Sequence, residues 1–339
     1  MIRSPGADNV QLSSDFVSGA EALDCARKND SKRWYTAGSA DAGSAATRLT
    51  LRGVGLPFQF KPKFLLSRQE RIFTIGSCFA RNVEEVLAAN GISVPTLSLE
   101  IQEDFYNTPV RKNAALNRYT PHAMLSEIEH LFSAAPTDIG FLPCGNDQYL
   151  YPFAALTRPN SLHNAEHLRR LITNTNQSLT DCDAVFITLG HTETWFDNEL
   201  GIFLNGTPPP QLIARSKDRF CFTNVGFLDA FAAISRLLEL IRAASLRPKK
   251  FILTVSPVPI QTTFTAADII QANTHAKSTL RAVASELSRS HRDVDYFPSY
   301  EIVLNSDVRF AWMADRVHVR NPMVEHIMDV FQTAYLGNL

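Results

Sequence analysis

Ser77, Cys78, Asp315 and His318 are the residues whose types and surroundings allow covalent chemistry. Residues 72–75 (IFTI) form a short apolar run rich in β-formers, as in a buried strand, and Gly76 and Ser77 interrupt it. Val83, Val86 and Leu87 then fall at helical spacing, and Asn90 and Gly91 supply a helix stop. A side chain at such a junction lies at the carboxyl end of a strand, beside the unpaired N–H groups of a helix start. A nucleophile held there attacks next to donors for a developing oxyanion. Towards the other end of the chain, Asp315 and His318 stand three residues apart in a loop ahead of a helix. At that spacing the carboxylate can accept from the imidazole, fix its tautomer and stabilise the imidazolium. The second ring nitrogen is then free to take a proton from a hydroxyl. The roles of a hydrolytic triad are thus represented, with Ser77 as nucleophile, His318 as base and Asp315 as orienter. The same residues also fit an ordinary strand-end turn and a loop capped by Asp315, since motifs this short recur without function.

The elements that must position these residues follow from the apolar patterning. Strands are expected at residues 72–75, 92–94, 183–189, 251–255 and 294–298, and helices at 121–132, 164–179, 224–245, 266–289 and 322–335, besides the one after Ser77. Residues 103–119 read as an irregular loop with turn chemistry at Asn107, Thr108 and Pro109. Residues 138–156 read as loop or hairpin turning at 145–147, and 195–210 as a hairpin or lobe insertion. This alternation implies a parallel sheet covered on both faces. Ligands of such sheets bind beyond the carboxyl ends of the strands, where Ser77, the run 190–193 and Ser256 all fall. Residues 1–56 are small and polar, with a low-complexity run at 37–46, and form an N-terminal arm expected to be partly disordered. Residues 57–339 form the α/β domain.

Bulk properties exclude several classes. The 339 residues are 45% hydrophobic and 20% charged, enough for a sizeable core. The formal net charge is −1, from 33 basic and 34 acidic residues, so no global basic field invites nucleic acid. Five cysteines (Cys25, Cys78, Cys144, Cys182, Cys221) lie scattered without a CxxC pair, which suggests neither zinc nor a disulfide framework. Reduced thiols in a cytoplasm are the simpler reading. No signal-peptide core and no run of about eighteen apolar residues occurs, so no membrane span is expected. No metal or cofactor is expected either.

GSCFA at 76–80, Tyr106 with Asn107, TLGHTETW at 188–195, TVSPVP at 254–259, FPSYE at 297–301 and DRVH at 315–318 come in this order. Across roughly residues 63–331 the chain resembles the GSCFA-domain family, itself similar to the SGNH (GDSL-like) hydrolase superfamily. The resemblance implies a flavodoxin-like three-layer α/β/α fold. It also implies ester hydrolysis or acyl transfer through a Ser77–His318 dyad supported by Asp315. The substrate class it suggests is a small-molecule or glycan ester; the oligomeric state is left open.

Two blocks depart from the superfamily pattern. Its first block is Gly-Asp-Ser, whereas Gly76-Ser77-Cys78 puts the cysteine third. A Cys78 nucleophile, its pKa depressed by the helix start and a histidine, is therefore an alternative. Its third block is Gly-x-Asn-Asp, whereas here Gly190-His191-Thr192-Glu193 places Thr192 at the oxyanion-donating Asn. A hydroxyl donates less rigidly than an amide. The Ser77 backbone N–H and the Asn107 side chain are further candidate donors, although Asn107 fits a turn residue equally well. His191 is expected either to contact substrate or to pack on Trp195. Glu193 is expected to orient Arg81 or Thr192. Ser256 reads as a rigid strand-end turn lining the pocket, and Lys277 either faces the site or belongs to a solvated helix face, the simpler reading. A binding module that retains the fold without turnover is the competing function.

Overall fold

The computed structural model describes residues 17–35, 43–132 and 139–337. The chain divides into two compact units, Met1–Arg52 and Gly53–Leu339. The first holds helices α1 (Gly19–Lys28) and α2 (Ala45–Leu49). Ser18 and Glu21 close a capping box on α1, and Ser44 caps α2. Residues 1–16 and 36–42, on which much of the expected disorder falls, lie outside the described residues.

The second unit contains β1 (Ile72–Gly76), α3 (Cys78–Ala89), α4 (Pro121–Phe132), β2 (Leu142–Gly145), β3 (Gln148–Leu150), α5 (Leu162–Gln177), β4 (Ala184–Leu189), β5 (Glu193–Asp197) and β6 (Ile202–Leu204). It continues through α6 (Pro210–Arg215), β7 (Phe220–Asn224), α7 (Phe227–Ala244), β8 (Lys250–Val255), α8 (Ile269–Ser290), β9 (Val294–Tyr296), α9 (Ser299–Leu304), α10 (Val308–Ala311) and α11 (Asn321–Tyr335). The central sheet has the order β1-β4-β8-β9. All its neighbours are parallel, with Ile72 opposite Ala184, Val185 opposite Phe251 and Phe251 opposite Val294. Every residue of β1 and β4 is buried, which is why both read as unbroken apolar runs instead of alternating ones.

The strand period of two sorts those residues into two cores. Phe73, Ile75, Val185, Ile187, Phe251 and Leu253 face α4, α7 and α8. Ile72, Phe186 and Ile252 face α3 and α11. The protein is therefore a three-layer α/β/α fold. Each fully buried large apolar side chain contributes about 1.5–3 kcal/mol, so the sheet's rigidity follows from its composition.

The direction of α11 fixes where its preceding loop lies. Tyr335, at its end, accepts from Leu66 N–H at 2.8 Å, and Leu65 in turn binds Lys250, the first residue of β8. The Tyr335 hydroxyl also donates to Asp295 in β9. Thus α11 ends where the strands begin, and it starts at the rim where they finish. Ser77 emerges at that same rim, on the α3–α11 side of the sheet.

Three expectations need revision. Residues 92–94 make a single parallel bridge, Arg71 with Ser93, and not a strand. Pro95 then opens a short 3₁₀ turn, and its missing N–H ends any ladder. The insertion at 195–210 is the start of a larger antiparallel sheet of order β6-β5-β7. Its last strand, β7, takes Asn224, so α7 begins at Phe227 instead of 224. The turn at 145–147 does close a hairpin, β2 with β3, through Asn146 and Asp147 at φ 52° and 53°. Among the described residues no helix is long and apolar enough to cross a membrane.

Candidate active site

The junction after β1 is built around a close approach. Gly76 has φ +146°, and a Cβ there would lie 2.6 Å from both Cβ and the carbonyl oxygen of Thr188. Only glycine lets β1 finish against β4 and release the chain into α3. Ser77 is the N-cap of α3, yet its side chain makes no capping bond. A serine here ordinarily accepts from the N–H two or three residues on. Instead its Oγ donates to Ser256 Oγ at 3.2 Å, just beyond the end of β8, and the residue is buried. The start of a 12-residue helix is thus left uncapped beside a hydroxyl.

Cys78 is exposed and free. Its thiol is pushed up from its ordinary value by the surrounding protein mass, which outweighs the pull of Arg111, the Phe79 N–H, Lys277 and its own N–H. The depressed thiol expected from a helix start is therefore not what the site provides. Desolvation wins over the helix terminus.

The run after β4 is held by its backbone. His191 N–H donates to the Tyr119 carbonyl at 2.9 Å, and a Cβ on Gly190 would lie 2.5 Å from that same oxygen. Gly190→Ala should therefore lower unfolding stability by about 1–3 kcal/mol in urea melts. A change within error would mean that this segment can shift. The His191 ring stacks on Tyr119, with centroids 5.9 Å apart, and not on Trp195. Burial, followed by nearby Lys277, pushes the imidazole down to about 4, so it is neutral at pH 7. Thr192 is fully buried and donates to Asn224 Oδ1 at 2.6 Å, which commits its proton away from Ser77. Glu193 pairs with neither Arg81 nor Thr192. It accepts from Thr263 Oγ1 at 2.6 Å and Phe264 N–H at 2.8 Å, and so ties down the loop after β8. Arg81 pairs instead with Glu84 at 2.7 Å.

Asp315 and His318 meet as their spacing implies. His318 Nδ1 lies 2.6 Å from Asp315 Oδ2, and the N–H groups of Val317 and His318 donate to Oδ1. Arg316 takes φ 60° to make the turn. The His318 Nδ1 bond, with the two N–H bonds, holds the Asp315 carboxyl down at about 2, against an ordinary 3.8. Because the folded value is the lower one, this tether is complete above about pH 4 and is lost as pH falls towards 2. Protection of the Val317 and His318 amides from hydrogen exchange should drop across that window; constant protection would contradict the tether. His318 is well exposed, and Ser77 is bonded to Ser256 and not to it. Asn107 is exposed in a loop pinned to Thr157 and Leu156, as a turn residue is.

Three further residues stand at this rim, and of these only Asn117 has no reading from the sequence. Asn117 bridges to Gly76, is 1% exposed, and its Oδ1 has no partner among the described residues. Ser256 holds the Ser77 hydroxyl. Lys277 is buried, not solvated, and donates to the Gly190 and Val258 carbonyls, each at 2.7 Å. Its signal was available: Lys277 occupies the same stripe of α8 as Leu280 and Ala284, three and seven residues on, and all three are buried. Among the described residues no cluster of His, Cys, Asp and Glu is arranged to hold a metal ion.

With its central strands all parallel and helices on both faces, the protein falls in the three-layer α/β/α class, its polar residues collected beyond the strand ends. The family follows from the sequence itself. Residues 71–331 match the GSCFA family, and the chain belongs to it. A comparison with curated proteins finds no match.

Proposed function

We propose that the protein is an SGNH-like ester hydrolase or acyltransferase working through a Ser77 acyl-enzyme in a reducing cytoplasm, on a small-molecule or glycan ester. The observation that carries this reading is the Asp315–His318 pair, closed at 2.6 Å in the loop that leads into α11 at the rim where Ser77 emerges. His318 uses Nδ1 on Asp315, and its Nε2 is the nitrogen that serves as base. Ser77 Oγ attacks the ester carbonyl and passes its proton to Nε2. The oxyanion forms beside the uncapped first N–H groups of α3, where donors and dipole both favour negative charge. Collapse expels the alcohol, which takes the proton back. Water or an acceptor hydroxyl then repeats the sequence on the acyl-enzyme. His318 closes on Ser77 with substrate bound, as catalytic bonds that are long in a free enzyme do.

A fluorophosphonate should label the folded protein at Ser77, located by peptide mass spectrometry. An adduct on another residue, or none on a folded sample, overturns the assignment. His318→Ala should slow p-nitrophenyl acetate turnover by about 10²–10⁴-fold, the usual contribution of a positioned base. Labelling confined to Cys78 and lost in Cys78→Ser would favour thiol chemistry, against which its raised pKa argues.

A second reading is a binding module that keeps the fold without turnover. The bond from Thr192 to Asn224 favours it, because that hydroxyl has no proton left for an oxyanion. Ester turnover that depends on His318 excludes it.

A further inference from the structure

Lys277 occupies a position that packing alone would fill with leucine or methionine. It lies on α8 among buried Ala276, Leu280 and Ala284, and is itself 1% exposed. Its Nζ donates to two carbonyls, Gly190 at the end of β4 and Val258 in the loop after β8, both at 2.7 Å. These loops flank Ser77: Ser256, two residues before Val258, accepts the Ser77 hydroxyl. Among the described residues no carboxylate pairs with the amine. The titratable groups around it are Cys78 from the start of α3 and His191 from the β4 loop, with Tyr119 stacked on His191 from ahead of α4. A buried cation without an anionic partner is costly, and a fold keeps one where an anion arrives.

We propose that Lys277 is a positioning residue of this site: its amine locks the two strand-end loops that flank Ser77 and presents positive charge to the oxyanion formed there. The inference rests on the ester-chemistry reading above. An ammonium held by the loops that flank Ser77 needs no direct contact with the reacting atoms. In a dry site its field reaches the developing charge, and the two carbonyls hold it in place at no cost during the reaction. Burial pushes the amine down to about 7, with the Cys78 thiol as the group that opposes this. Its charge is therefore divided near neutral pH, and an anion at Ser77 draws the proton on.

The titration of Lys277 in the intact wild-type protein tests this directly. With ¹³Cε-labelled lysine, assigned through Lys277→Arg, phenylboronic acid, which a nucleophilic serine binds as a tetrahedral boronate anion, should move the midpoint upwards. The expected rise is about one pH unit or more, the effect of an opposite charge close by. In parallel, Lys277→Met should slow labelling about tenfold to a hundredfold, and Lys277→Arg, charged at every pH, should restore much of it and flatten its alkaline decline. A merely structural lysine moves neither the midpoint nor the pH profile. An adduct at Ser77 with an unmoved Lys277 midpoint overturns this inference and leaves the ester reading standing. No fluorophosphonate adduct on folded protein overturns the ester reading, and this inference with it.

Discussion

Ester turnover in Ser77→Ala should fall by a factor on the order of 10³ or more, while the protein keeps its stability to within about 1 kcal/mol. The two halves of this expectation come from one observation. Ser77 is an N-cap whose side chain does not cap. Removing it takes nothing from α3 and breaks one hydroxyl–hydroxyl bond, to Ser256 at 3.2 Å. An ordinary capping serine would behave oppositely, costing about 0.5–2 kcal/mol and no activity. Ser256→Ala supplies the contrast. It removes the same bond from the other side but leaves the attacking oxygen, so most turnover should persist. Steady-state rates and urea melts on both variants read the difference. Equal losses of activity in the two would assign Ser77 a structural role.

What the sequence made legible, and what it did not, divides along the range of the interactions involved. The central strands were readable because burial on both faces writes an uninterrupted apolar run, as residues 184–189 show. The Asp315–His318 pair was readable because its partners are three residues apart. Failures concern contacts between distant segments. Residues 92–94 have strand-like composition, but strand pairing needs a neighbour, and only Ser93 finds one. Charge and proximity in the chain point Glu193 at Arg81 or Thr192, yet its oxygens accept from Thr263 and Phe264, 70 and 71 residues away. Thr192 matches the oxyanion position by order in the chain, and Asn224, brought alongside by pairing of β5 with β7, takes its proton. A helix start and a histidine would lower the Cys78 thiol, whereas burial by the surrounding protein raises it.

Glu84→Ala should destabilise the protein by about 3–5 kcal/mol, a large share of the roughly 5–15 kcal/mol that holds a domain together. Glu84 and Arg81 face inward from α3 at 0% and 1% exposure, ion-paired at 2.7 Å. Glu84 also accepts from Thr96 Oγ1 at 2.5 Å, from Asn113 Nδ2 at 2.7 Å, and from Thr74 Oγ1. One carboxylate therefore joins α3 to β1, to the turn after it and to the loop at 113. Its loss strands a buried guanidinium and takes an acceptor from three donors, which keep only the Thr74–Thr96 bond and the bond from Asn113 to the Thr96 carbonyl, and an unmade buried bond costs more than a made one contributes. The double variant Arg81→Met with Glu84→Leu removes both charges and should lose less than Glu84→Ala alone, because apolar pairs often replace buried ion pairs at little cost. Urea midpoints with unchanged m-values decide it. A loss under about 1 kcal/mol in Glu84→Ala would show that water reaches Arg81. Since α3 begins at Ser77, labelling of that serine in the double variant then asks a separate question. If the network serves only stability, the fluorophosphonate rate should match wild type; a slower rate at restored stability means that these buried charges also aim the helix start.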